Sequence, residues 1–322
     1  MHGGTAVERG EERTVTGDRP RITIGLPTYN GERYLEQAID SILRQDFADF
    51  ELLVADNASQ DRSSAIVEAA GASDHRVRYL GSDRNRGASW NFNRVVAEAR
   101  GEYFKWVADD DTYGPAFLSS CVSVLDSSAD VVLCYAQAIE IDEQGQVIEE
   151  RGPTNVADLS DPAGRFRAVM LDEIYCYAIF GLMRTAVLRS TGLIGPFAQS
   201  DRVLLAELAL HGRFVECPEP MFHHREHPGR SMHAFVDDRD RLRWFDPSLD
   251  GSRTLPRWRL GAEYARAVQR AGRRLPPSTR VRSTWQLVPW GVANRRVLSR
   301  EAARSVVRRG HELVTHRKPA PT

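Results

Sequence analysis

Asp109, Asp110 and Asp111 stand side by side in this chain. Ionised neighbours repel one another, and keeping three carboxylates charged together calls for a cation. Oxygen ligands of this kind suit Mg²⁺ or Mn²⁺, which retain water and bind the oxygens of a substrate phosphate. A metal bridging a diphosphate is the chemistry this run would serve, with a solvated acidic loop as the alternative. The apolar segment Tyr103, Phe104, Lys105, Trp106, Val107 reads as a strand that delivers the carboxylates to its C-terminal end.

Three more groups carry side chains that could meet the same ligand. Pro27, Thr28, Tyr29 and Asn30 follow a short β-branched run. Tyr29 could stack on a base and Thr28 could hydrogen-bond it, or the segment simply caps the helix that follows. Asp56, within residues 54–61, could accept from a base N–H or a ribose hydroxyl, while Asp61 is as readily a helix N-cap. Arg84 and Arg86, in the turn at residues 83–87, could hold phosphate or stand as exposed turn residues.

These groups need a scaffold that gathers them at one edge. Residues 21–27 read as a strand, and Leu35, Ala38, Ile39, Ile42 and Leu43 then recur at helical spacing. The same rhythm returns with a strand at 50–55 before a helix at 62–70, and a strand at 77–80 before a helix at 88–99. Gly101 closes that third helix, and residues 102–108 form the next strand. Strands alternating with helices imply parallel pairing through right-handed crossovers, with ligands at the strands' C-terminal ends. After Asp111 the rhythm changes. A helix near 115–125 and a strand at 130–136 lead into a hairpin turning at 143–146, and helices follow near 164–171 and 201–211. Residues 155–164 read as a loop, and the charged stretch 237–255 reads as a boundary.

In their order along the chain, the four groups resemble the donor site of the family 2 glycosyltransferases of GT-A fold. The resemblance spans residues 21–231 and implies an α/β fold, a GT-A Rossmann-like and mostly parallel sheet flanked by helices. It divides the chain into a tail at 1–19, a nucleotide-sugar half at 20–112, an acceptor half at 113–235 and a helical basic extension at 236–322. It implies that Thr28, Tyr29, Asn30 and Asp56 hold the nucleoside of a nucleotide-diphosphate sugar. Asp109, Asp110 and Asp111 would bind ribose and the metal-diphosphate, with Mn²⁺ or Mg²⁺ as cofactor. In related enzymes an R-x-H-x-x-S segment closes over the diphosphate. Here that segment is Arg225 to Ser231, making Arg225 and His227 candidates and placing His227 with Asp109 and Asp111 as metal ligands.

The family also places an acidic base at a helix start about a hundred residues beyond the carboxylates. The match is Asp201, which would deprotonate the acceptor hydroxyl and could equally cap its helix. A single displacement of this kind inverts the anomeric carbon. The chain departs from the family where Asn91-Phe92-Asn93 replaces an A-R-N triplet, so the usual arginine is Phe92. Lys105 is the candidate replacement, because period-two alternation puts it on one strand face with Asp109; it could also be an edge residue keeping its ammonium in water. A nucleotidyltransferase would show a Gly-rich phosphate loop after the first strand, where this chain has Pro27-Thr28-Tyr29-Asn30-Gly31. A non-catalytic sugar-nucleotide-binding member of the same fold is the remaining alternative.

A formal net charge of -1 over 322 residues offers no global field for nucleic acid. The charge is uneven, because arginines dominate beyond Arg253 and Trp258, Trp285 and Trp290 lie among them. Amphipathic stretches at 259–273 and 301–314 could lie on an anionic membrane near a lipid-linked acceptor, or pack as a helical cap or a dimer contact. Cys121, Cys134, Cys176 and Cys217 show no metal or disulfide spacing and read as reduced core residues. With no run of the ~18 apolar residues a membrane span needs, and no apolar core in the first residues, a cytoplasmic location is expected.

Overall fold

The computed structural model describes residues 19–153, 159–171, 174–230, 237–249 and 255–315. Residues 1–18 of the expected tail, residues 155–158 of the expected 155–164 loop and Ser231 lie outside them. The first strand, β1 (Ile22–Thr28), is buried along its whole length. Both faces of a crossover sheet are covered by helices, which is why such strands read as continuous apolar runs. Then come α1 (Leu35–Leu43), β2 (Phe50–Asp56), α2 (Ser63–Ser73), β3 (Val77–Leu80), α3 (Ala88–Glu98) and β4 (Tyr103–Trp106).

β1 lies between β2 and β4, parallel to both, and β3 extends the sheet beyond β2. The chain therefore builds outward from β1 in one direction, then crosses to its other side with β4. A crevice opens at such a switch, outside the carboxyl ends of the two strands. Thr28 ends β1, and the three aspartates follow β4.

The chain beyond the aspartates contributes β5 (Thr112–Tyr113), α4 (Phe117–Ser127), β6 (Val131–Ile141), β7 (Val147–Glu150) and α5 (Pro162–Leu171). A 3₁₀ helix (Ile174–Phe180), β8 (Leu182–Arg184), α6 (Thr185–Leu188), α7 (Ser200–His211) and β9 (Arg213–Arg225) complete it. The nine-stranded sheet runs β3-β2-β1-β4-β8-β6-β9-β5, with β7 paired to β6. It is parallel from β3 through β2 and β1 to β4. Beyond β4 it is mixed, since β8 pairs antiparallel with both β4 and β6, while β9 runs parallel to β6.

The C-terminal helices are α8 (Asp238–Phe245), α9 (Pro256–Ala271), α10 (Pro277–Trp285) and α11 (Leu287–Thr315). α9 buries Leu260, Tyr264, Ala267, Val268 and Ala271, a stripe at helical spacing, in the same core cluster as α5 and α7. Arg270 of α9 donates to the fully buried Glu207 of α7 at 2.7 and 2.9 Å. The basic extension is thus joined to α7 through an ion pair with a buried carboxylate and through a shared apolar cluster. Cys121, Cys134 and Cys217 are free and buried.

Candidate active site

The three carboxylates fall into different surroundings within one turn of chain. Asp111 is fully buried; it accepts from the Arg225 backbone N–H at 2.9 Å and faces His224 Nδ1 at 3.1 Å. β5 brings this about by pairing with the end of β9, Thr112 against His223. Asp110 turns the other way, with its Oδ2 2.9 Å from His227 Nε2. Asp109 is half-buried and accepts from Thr28 Oγ1 at 2.5 Å. Burial, followed by the Asp110 charge, pushes the Asp109 carboxyl up to about 7. Burial raises Asp111 as well, against the opposing pull of His224. Gly31 is required here, because a Cβ at that position would lie 2.4 Å from Asp109 Oδ2.

The neighbouring wall is made by the loops after β1, β2 and β3. Asp56 accepts from Tyr79 Oη at 2.9 Å and from the Ser59 N–H at 2.8 Å. Asn30 adopts a left-handed backbone (φ 56°), and its side-chain oxygen accepts from the Gln60 N–H at 2.8 Å. Tyr29 projects from this loop with an exposed ring. Asn57 then ties β2 to the next turn, donating to Asn85 Oδ1 and accepting from the Arg86 N–H, both at 2.9 Å. Arg84 and Arg86 are exposed on that turn, and the Arg86 guanidinium stacks over Trp90 and pairs with Asp83. Gly87 closes it at φ 87°.

α3 links this wall to the loop before α7 through three side chains to which sequence reasoning assigned no role. Asn91 donates to Ala55 O at 2.7 Å and Thr28 O at 3.3 Å, bridging the ends of β1 and β2. Asn93 exchanges a pair of hydrogen bonds with the Ile194 backbone, and Ser89 donates to the same carbonyl at 2.6 Å. Those contacts anchor the loop that leads into α7. Asp201 sits in the first turn of α7, beside Cys176 of the 3₁₀ helix, whose thiol is pushed up to about 12 by burial and by the Asp201 charge. A signal for Asn91 and Asn93 was present as the departure from the family triplet. Phe92 between them packs into the core towards Trp106.

Three expectations need correction. Lys105 is fully buried, donates to Phe180 O, and lies 3.7 Å from the Tyr113 ring centroid and 4.0 Å from that of Phe117. Burial lowers its pKa well below the usual lysine range, and it points into the core where a phosphate cannot reach. Arg225 is also buried; its guanidinium donates to the carbonyls of Asp110, Asp142 and Glu143 and to Gln37 Oε1. That geometry makes it a brace for the aspartate segment in place of a diphosphate ligand. Asp111 is engaged by β9 in the same way, which leaves Asp110 and His227, with Asp109 beside them, as the groups available to a metal.

The donor types of this set, carboxylate oxygen and imidazole nitrogen, are ones that suit a divalent cation. A carboxylate oxygen and an imidazole nitrogen already stand at contact distance, and a second carboxylate beside them is held in an unfavourable charged environment that a cation would relieve. The profile described as Glycosyl transferase family 2 matches residues 23–189, just over half of the chain. The chain belongs to that family.

Among curated family relatives, the GalNAc(5)-diNAcBac-PP-undecaprenol beta-1,3-glucosyltransferase of Campylobacter jejuni is 34% identical over 111 residues. That match covers 34% of this chain and 35% of the relative. The chain spans less than half the length of the curated relatives it matches. Two solved structures share the fold. S. aureus TarS 1-349 in complex with UDP has a TM-score of 0.52 at 16% identity, over 83% of this chain and 89% of that one. Mannosyltransferase PcManGT from Pyrobaculum calidifontis, in complex with GDP-Man and Mn2+, has a TM-score of 0.51 at 18% identity, over 88% and 74%.

Proposed function

We propose that this family 2 glycosyltransferase moves a sugar from a nucleoside-diphosphate donor to a hydroxyl acceptor, with inversion at the anomeric carbon. The observation that carries the reading is the Asp110–His227 pair, set beside Asp109 at the β1/β4 switch point. Thr28, Tyr29 and Asp56 line the adjoining wall and take the nucleoside, with Tyr29 free to stack on the base. Arg84 and Arg86 lie on the turn next to it, on the side where the diphosphate runs. Asp110 and His227, with Asp109, would hold Mn²⁺ or Mg²⁺, which when bound offsets the negative charge gathered on a departing diphosphate. Arg225 and Asp111 fix the segment so that Asp110 is presented to the cleft.

On the acceptor side, Asp201 takes the proton from the acceptor hydroxyl as its oxygen attacks the anomeric carbon. The nucleoside diphosphate leaves from the opposite face, so one displacement inverts the configuration. Relatives and neighbours support this assignment of substrates. UDP and GDP-Man occupy two structures of the same fold, and the Campylobacter relative is named for transfer onto an undecaprenol-linked glycan. A growing cell-envelope glycan is the acceptor class we infer, and the cytoplasm is where nucleotide sugars would be met.

Calorimetry with UDP-, GDP-, dTDP- and CDP-sugars, each with and without Mn²⁺, tests the donor site. One nucleotide should bind in a manner that EDTA abolishes. Asp201→Asn should keep that binding within about twofold and lower transfer by at least about a hundredfold, the usual span for a lost general base. Equal loss of binding in Asp110→Asn and Asp201→Asn would contradict the division of roles. Metal-dependent binding with no turnover on any acceptor would favour the non-catalytic alternative.

A further inference from the structure

α10 and α11 meet at Gln286, whose backbone is itself helical (φ -67°, ψ -15°), so side-chain spacing continues across the junction. Val281, Trp285, Val288 and Val292 recur there at steps of four, three and four residues and form one stripe. A folded chain usually turns such a stripe inward. Here Trp285 is 66% exposed and the three valines are 53 to 56% exposed. With Val268, Gln269, Arg280 and Thr284, the first three residues of the stripe line an open groove of about 670 Å³ between α9, α10 and α11.

The charge around the stripe is mostly positive, the exception being Asp161, which pairs with Arg282 of α10 at 2.7 Å. Arg280 forms part of the groove wall, Arg273 and Arg274 follow α9, and Arg295 and Arg296 stand one turn beyond Val292. From residue 273 to residue 315 the chain holds only two acids, Glu301 and Glu312. Glu301 already accepts from the backbone N–H groups of Arg257 and Trp258 at the start of α9. No helix among the described residues is long and apolar enough to cross a membrane.

We propose that this groove face is a docking surface for an anionic lipid bilayer. An apolar stripe holding tryptophan seats at the boundary between headgroups and acyl chains, where its amphipathic ring is favoured, while flanking arginines meet lipid phosphates. The combination answers both features of the surface. A neutral protein partner would cover the valines and leave the arginines unmatched, and a nucleic acid would match the arginines and leave Trp285 and the valines in water. Docking in this orientation lays α10 and α11 along the interface plane. It does not depend on the sugar-transfer reading, because it is carried by residues outside the donor and acceptor sites.

The test is co-sedimentation of the full chain with phosphatidylcholine vesicles and with vesicles enriched in phosphatidylglycerol. The chain should bind the anionic vesicles and leave the neutral ones, and binding should weaken in high salt as the screening length shrinks from about 10 Å towards about 4 Å. Trp285→Ser combined with Val288→Ser should lower partitioning by about tenfold or more, because two exposed apolar side chains are withdrawn from the contact. Both positions are exposed, so the thermal midpoint and donor binding should stay unchanged, which separates loss of docking from loss of fold. No binding to either vesicle, or equal binding to both, overturns the proposal. So does a concentration-dependent dimer that Trp285→Ser dissolves, since the groove would then belong to a second copy of the chain.

Discussion

The two ends of the central sheet each bury carboxylates, and they treat them in opposite ways. At the N-terminal edge, Glu51 of β2 is buried beneath Arg78 at 2.9 Å and Arg100 at 2.6 Å, with Thr23 donating at 2.8 Å. Burial alone would raise its pKa, but the hydrogen bonds from Arg100, Thr23 and Arg78 reverse the outcome and hold it below the usual carboxylate range. At the C-terminal edge, Asp109 and Asp111 are raised, by burial and by Asp110. One end has been neutralised by the fold. The other keeps like charges together with no arginine side chain among the described residues pairing with any of the three carboxylates, a repulsion that a cation would relieve.

That contrast can be broken most forcefully at Asp110. Asp110→Asn removes the carboxylate facing His227, and transfer should fall by about a thousandfold or more if a metal-supported leaving group is lost. Donor binding measured by calorimetry should become insensitive to EDTA, while the thermal midpoint stays close to wild type. A variant that retains metal-dependent binding would remove Asp110 from the ligand set.

Next in size is the opposite end. Glu51→Ala leaves Arg78 and Arg100 without their shared partner, but both arginines are partly exposed and water replaces some of what they lose. Loss of about 2–3 kcal/mol in urea unfolding is expected, less than for a fully enclosed pair. Asp109→Asn should do the reverse in EDTA, stabilising the metal-free protein by about 1–2 kcal/mol at pH 8 because one half-buried like charge is gone. Parallel urea titrations of the two variants would show it. If both substitutions destabilise, the two edges are not the opposites described.

Much of this was legible in the sequence, and the failures share a cause. The apolar runs of β1, β2 and β4 and the acidic run after β4 announce themselves locally, because strands buried on both faces need continuous apolar sequence. Strand alternation placed Lys105 on one face but could not say that this face is covered by Tyr113 and Phe117. The distinction among Asp109, Asp110 and Asp111 depends on β9, whose pairing with β5 joins residues more than a hundred positions apart. Arg225 was misjudged for the same reason, since its partners Gln37, Asp110, Asp142 and Glu143 come from three distant segments. The short 3₁₀ helix and β8 are too brief to carry a period, and the joining of α9 to α7 by Arg270 and Glu207 has no local sign.

The smallest effect, and the one that isolates charge from packing, is the pH dependence of the N-terminal edge. Glu51 titrates lower in the folded chain than in the unfolded chain, where a glutamate has a pKa of about 4.3. As pH falls, the unfolded state takes up the proton first, so the stabilisation by Glu51 is complete above about pH 5 and is lost progressively below about pH 4. Glu51→Gln keeps the shape and most hydrogen-bonding capacity but carries no charge at any pH. The stability gap between wild type and Glu51→Gln, from urea titrations at stepped pH, should therefore be constant at neutral pH and close on acidification, by about 1 kcal/mol. A gap that persists unchanged to pH 3 would mean that Arg78 and Arg100 hold Glu51 by geometry alone, and the electrostatic contrast between the two edges would lose one of its sides.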